Sequence, residues 1–151
     1  ELFALSCALG ARLAAADSAT EAALREYGQQ LGTAYQIYDD CVDVFGAEAI
    51  AGKTLGTDLA TGKATLPVLL AMERADAAGR KAWLAMLKDG EAQAEAVRER
   101  LVDGGIPAAC REVVAGYIAD AKAAVENLPT GREPLLALTD CLTYQLVALD
   151  D

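Results

Sequence analysis

The feature that most constrains this chain is a run from Ser18 to about Phe45 with helical periodicity and no proline. Its second half, Gly28 to Asp43, reads GQQLGTAYQIYDDCVD. On a helix of 3.6 residues per turn, Gln36, Asp39, Asp40 and Asp43 fall on one face. Ile37, Tyr38, Cys41, Val42, Val44 and Phe45 cover most of the remaining circumference. No Lys or Arg lies between Arg25 and Lys53 to neutralise the acids along the helix. Two carboxylates one turn apart, at ~6 Å, repel by roughly 3 kcal/mol at an effective dielectric near 20. Three together raise one another's pKa values or recruit a cation. Oxygen donors with no Cys or His pattern beside them favour a hard ion, and Mg²⁺ is the natural one. Mg²⁺ takes one or two carboxylates from a protein and completes its shell with water and substrate phosphates. The stripe thus reads as half of a site whose other half is a phosphorylated ligand. Taken alone, the D-D-x-x-D spacing is equally compatible with a solvated charged face.

Ala and Leu dominate, proline is scarce, and 54% of residues are hydrophobic, so propensity points to an all-α chain, a helical bundle. The formal net charge of −10 argues against nucleic acid or an anionic membrane as partner. With no histidine, a His-based triad, zinc site or His general base is excluded. Cys7, Cys41, Cys110 and Cys141 form no C-x-x-C pair. They read as reduced, buried residues of a cytoplasmic protein. No apolar run approaches the ~20 residues that cross a bilayer. The chain opens on Glu1 within an apolar-periodic segment, which leads us to expect that it begins inside a longer protein.

Residues 2–15 predict a helix that is apolar nearly all round and therefore buried on most sides. Ser18-Ala19-Thr20-Glu21 fits a capping box that starts the long helix, and Gly46 fits its stop. Gly28 and Gly32, four apart, favour close approach of a neighbouring helix, with room for a ligand as the second reason. Gly46 to Thr65 follows as a long glycine-rich connection, of the kind that is usually functional or disordered. It carries Lys53 and Lys63, the only basic groups near the stripe in sequence. A compact ammonium on such a segment suits phosphate as a point charge, though each lysine alone reads as ordinary exposed surface.

The residues from Gly28 to Pro67 resemble the second aspartate-rich region of the trans-isoprenyl diphosphate synthases (polyprenyl synthases). Gly28, Gly32, Ala34, Tyr35, Gln36, Ile37, Asp39, Asp40 and Asp43 match the first block. Gly52, Lys53, Gly56, Asp58 and Leu59 match the second, and Gly62, Lys63, Thr65, Leu66 and Pro67 the third. Tyr35 stands where Phe is common. The opening LFALSCALGARLA looks like the helix that follows a Lys-Thr-Ala segment in this family.

The resemblance implies a partial isoprenoid synthase fold, with residues 1–151 as the C-terminal part of one helical domain. It also implies a homodimer acting on isoprenoid diphosphates with Mg²⁺. Asp39, Asp40 and Asp43 would bind the metal. Lys53 and Lys63 would contact the allylic diphosphate and serve catalysis, with Gln36 as nearby polar support. Asp58 more naturally fixes the loop or a lysine. The family's first aspartate-rich motif is missing from this sequence, whose other D-D pair is the terminal Asp150-Asp151. The 151-residue chain is therefore expected to be inactive alone, while a longer parent is a synthase. A non-catalytic or regulatory subunit of a synthase is the alternative. A terpene cyclase ranks lower, because the paired G-K elements are not of that type.

The rest predicts scaffold: helices over 65–75, 80–88, 91–102, 107–127 and 133–149, with Trp83 in the core and Leu128 to Gly131 as a turn.

Overall fold

The computed structural model of the chain describes residues 1–46 and 55–147. Lys53 and Gly52 lie outside the described residues, as does the end of the last predicted helix. The elements are α1 (Leu2–Leu13), α2 (Ser18–Phe45), α3 (Thr57–Ala60), α4 (Leu66–Arg74), α5 (Ala77–Lys88), a 3-10 turn (Gly90–Gln93), α6 (Ala94–Asp103), α7 (Ile106–Ala124) and α8 (Arg132–Val147). No strand occurs among the described residues, so the all-α expectation holds. The chain forms two compact units. One joins Glu1–Gln36 to the segment from Val113 onward, and the other is Ile37–Glu112.

In the first unit, α1 buries Ala4, Ala8 and Ala11. The glycines of α2 explain how closely it sits. A Cβ on Gly28 would lie 2.6 Å from the Phe3 carbonyl oxygen and 2.8 Å from the Ala4 Cα. On Gly32 it would lie 3.0 Å from the Phe3 Cβ. The four-residue glycine spacing is thus a seat for α1, as the packing reading expects. The expectation that α1 is buried on most sides is corrected. Leu2, Leu5, Leu9 and Leu13 stand 48–89% exposed, because the small residues make the contact and the leucines project away from it. Tyr27 is buried, and its hydroxyl donates to the Leu135 carbonyl at 2.8 Å. Burial pushes that phenol up to about 12. An apolar cavity of about 420 Å³ opens beside Phe3, Tyr27, Tyr35 and Leu142.

The start of α2 also differs from expectation. The cap is Asp17, whose carboxylate accepts the Thr20 N–H at 2.7 Å. Ser18 is already helical, and Glu21 turns instead to Arg12, at 2.8 Å.

In the second unit the buried core includes Ile37, Cys41 and Val44 of α2, Val68, Trp83, Leu87, Val97, Leu101 and Cys110. Two left-handed glycines close its turns. A side chain on Gly62 (φ 70°) would meet the Leu87 carbonyl oxygen at 2.5 Å, and one on Gly90 (φ 53°) the Ala60 carbonyl oxygen at 2.6 Å. The predicted 91–102 helix begins as the 3-10 turn and becomes α-helical only at Ala94. Trp83 is core, as expected, with the Arg100 guanidinium 4.5 Å from its ring. All four cysteines are free. Cys41 and Cys110 are buried, whereas Cys7 is half-buried and Cys141 is exposed, which corrects the expectation of four buried thiols. A hydrogen bond to Cys110 together with burial raises the Cys41 thiol and keeps it protonated.

Candidate functional site

The acidic stripe belongs to the Ile37–Glu112 unit. Buried Ile37, Cys41 and Val44 fix the inward face of this part of α2; the helical repeat puts Asp40 at the edge of that face and Asp39 and Asp43 farther round the helix. Asp39 and Asp40 are half-buried, while Asp43 is buried. The Asp43 carboxylate accepts the Thr57 hydroxyl on Oδ1 at 3.0 Å and the Asp58 N–H on Oδ2 at 2.9 Å. Its carbonyl accepts the Gly56 N–H at 2.8 Å. Gly56, at φ 75°, takes the left-handed turn that brings α3 onto this residue.

Lys63 comes next along the same network. Its backbone N–H donates to the Asp58 carbonyl at 2.8 Å. Its ammonium donates to both Asp58 carboxylate oxygens, each at 3.1 Å, and lies 3.8 Å from the Asp40 Oδ1. The Lys63 side chain is 55% exposed and the Asp40 side chain 14%. The Asp58 hydrogen bond raises the Lys63 pKa, with the charges of Asp40 and Asp43 adding to it. The group is therefore a cation throughout the neutral range.

The structure thus brings Asp40, Asp43 and Lys63 together, with Asp39 on the same turn of α2 as Asp40. Asp58 holds a lysine, as the sequence reading allows. Gln36 is exposed and ends the other unit's stretch of α2. Two participants went unrecognised in the sequence. Thr57 carries no signal beyond following a glycine. Arg98, paired with Glu95, lines a cavity of about 200 Å³ with Asp43, Gly46 and Gly56. The statement that Lys53 and Lys63 are the only basic groups near the stripe therefore holds along the chain and not in space.

Among the described residues no three His, Cys, Asp or Glu side chains converge to enclose a metal ion. Mg²⁺ does not require that, since it keeps waters and ligand phosphates around one or two carboxylates. Asp39 and Asp40 supply such a pair, and the donor set is oxygen only, so the residues fit a hard divalent cation with an open shell. No described helix is long and apolar enough to cross a membrane.

Comparison with known proteins identifies the family. The profile of the family described as Polyprenyl synthetase matches residues 1–103. A geranylgeranyl diphosphate synthase of Mycobacterium tuberculosis is 49% identical over 79 residues, covering 52% of this chain and 23% of that protein. One from Methanosarcina mazei is 34% identical over 143 residues, covering 93% of this chain and 39% of that protein. The chain thus spans less than half the length of these curated relatives. The crystal structure of a polyprenyl synthase from Caulobacter crescentus, complexed with calcium and isoprenyl diphosphate, superposes with a TM-score of 0.82 at 37% identity. That match covers 94% of this chain and 45% of the other. The family match over residues 1–103, more than half of the chain, shows that the chain belongs to the polyprenyl synthetase family.

Proposed function

We propose that this chain forms the diphosphate-holding part of a prenyltransferase that condenses an allylic diphosphate with isopentenyl diphosphate. The observation that carries the reading is the Lys63 ammonium, fixed on Asp58 and 3.8 Å from the Asp40 carboxylate of the acidic stripe. Asp39 and Asp40 are the residues we assign to Mg²⁺, which when bound supplies Lewis-acid charge to the diphosphate oxygens. Lys63, beside Asp40, contacts the allylic diphosphate, and Lys53 joins it on the strength of the family resemblance. Gln36 gives polar support by the same resemblance. As the allylic C–O bond breaks, negative charge grows on the leaving diphosphate, and a positive group already in place needs no reorganisation to meet it. The allylic cation is attacked by the double bond of isopentenyl diphosphate. A proton then leaves the adduct for the released diphosphate, completing one five-carbon addition. The same reading carries a cytoplasmic homodimer, checked by sizing the complete polypeptide in solution.

The test is an elongation assay on the complete natural polypeptide that contains these residues. Asp39→Ala and Asp40→Ala are each expected to lower kcat/KM by about a hundredfold or more. The 151-residue chain, with one aspartate-rich motif, is expected to give no turnover. Turnover by the 151-residue chain, or wild-type rates from Asp40→Ala, would contradict the proposal.

A further inference from the structure

Asp43 differs from Asp39 and Asp40 in what its oxygens already do. It is buried, and each carboxylate oxygen accepts a hydrogen bond, from the Thr57 hydroxyl at 3.0 Å and the Asp58 N–H at 2.9 Å. Its carbonyl takes the Gly56 N–H at 2.8 Å. Three consecutive residues are thus tied to one residue of α2. Two of these bonds run to the side-chain carboxylate, one to each oxygen. The one from the Asp58 N–H also satisfies a donor at the start of α3, where the helix itself leaves N–H groups unpaired. The connection continues through Asp58, which holds the Lys63 ammonium on both oxygens and the Lys63 N–H on its carbonyl. A lysine on a four-carbon stem is a poorly placed point charge unless something fixes it. Here one unbroken path of hydrogen bonds fixes it to α2. The donors on both Asp43 oxygens also bring positive partial charge to the side an ion would need.

We propose that Asp43 is a positioning residue, the anchor that sets where the Lys63 ammonium stands, in place of the metal-ligand role its D-D-x-x-D spacing suggests. The inference rests on Lys63 being a diphosphate contact.

The test is calorimetric titration of pyrophosphate, with Mg²⁺, into variants of the complete polypeptide. Asp43→Asn is expected to weaken pyrophosphate binding about tenfold, and Lys63→Ala at least as much. The double variant should bind no more weakly than Lys63→Ala alone, because the influence of Asp43 passes through that ammonium. Thr57→Val, which leaves every carboxylate in place, should lose about two- to fivefold, and Thr57→Ser should restore it. Before any ligand is added, amide exchange at Asp58 should accelerate in Asp43→Asn, a change that loss of a metal ligand would not cause. Losses that multiply in the double variant, with Asp58 exchange unchanged, would make Asp43 an independent ligand and overturn the inference. Undiminished binding by Lys63→Ala would instead overturn the diphosphate reading itself, and the inference with it.

Discussion

Asp17 starts a 28-residue helix with one carboxylate, which accepts the Thr20 N–H at 2.7 Å. That backbone bond, helped by the Thr20 side chain, holds the Asp17 carboxyl below its ordinary value of 3.8. A carboxyl depressed in the folded state stabilises the fold above its unfolded pKa, and the contribution fades as pH falls through the folded value. Asp17→Ala should therefore lower the urea midpoint at pH 7, and its midpoint should converge on that of wild type well below pH 3.8. A gap that persists in acid would contradict the cap. The sequence signature S-x-x-E pointed one residue too late, since Asp17 and Ser18 are both competent caps. Glu21 decided between them by pairing with Arg12 and Arg25, a choice set by where α1 ends. The Asp58–Lys63 pair was readable only in part, because the expectation that Asp58 fixes the loop or a lysine left open which one, and the structure pairs it with Lys63. The Thr57 hydroxyl on Asp43 was not, because it joins residues 14 apart across a turn that only the fold defines.

At the level of elements, the helices were legible from composition and periodicity, and their glycines from spacing. Gly28 and Gly32 face the backbone and side chain of Phe3, so their role is steric. Gly116, inside α7, has nothing within 4 Å of an added Cβ. The two sites predict opposite signs. Gly28→Ala forces a backbone clash and should cost about 1–3 kcal/mol. Gly116→Ala removes the entropic penalty of a helical glycine and should gain roughly 0.5–1 kcal/mol. Denaturant midpoints check both, and a shift of the same sign for the pair would contradict the packing. The leucine face of α1 was misread because periodicity reports which residues are apolar and not which of them the fold covers. The break in the 91–102 helix was hidden because its charged sequence is helix-forming throughout, whereas the left-handed turn at Gly90 is set by the close approach of Ala60.

At the level of the whole molecule, no composition shift marks the division into two units. The boundaries fall inside α2, between Gln36 and Ile37, and inside α7, between Glu112 and Val113, where a continuous helix leaves no linker to read. The candidate site lies on the second unit's share of α2 and on the segment that follows it. Its acidic half was legible because helical spacing alone aligns Asp39, Asp40 and Asp43. Its basic half was only partly so, because Arg98 reaches the Asp43 cavity from α6, far along the chain. The central claim is that Asp39 and Asp40 hold a divalent cation against a diphosphate that Lys63 contacts. The most direct measurement is pyrophosphate binding by the complete polypeptide, with and without Mg²⁺, in wild type and in the Asp39→Asn/Asp40→Asn double variant. The account predicts Mg²⁺-dependent binding in wild type and loss of that dependence in the double variant. Equal Mg²⁺-dependent affinity in the two proteins would contradict it.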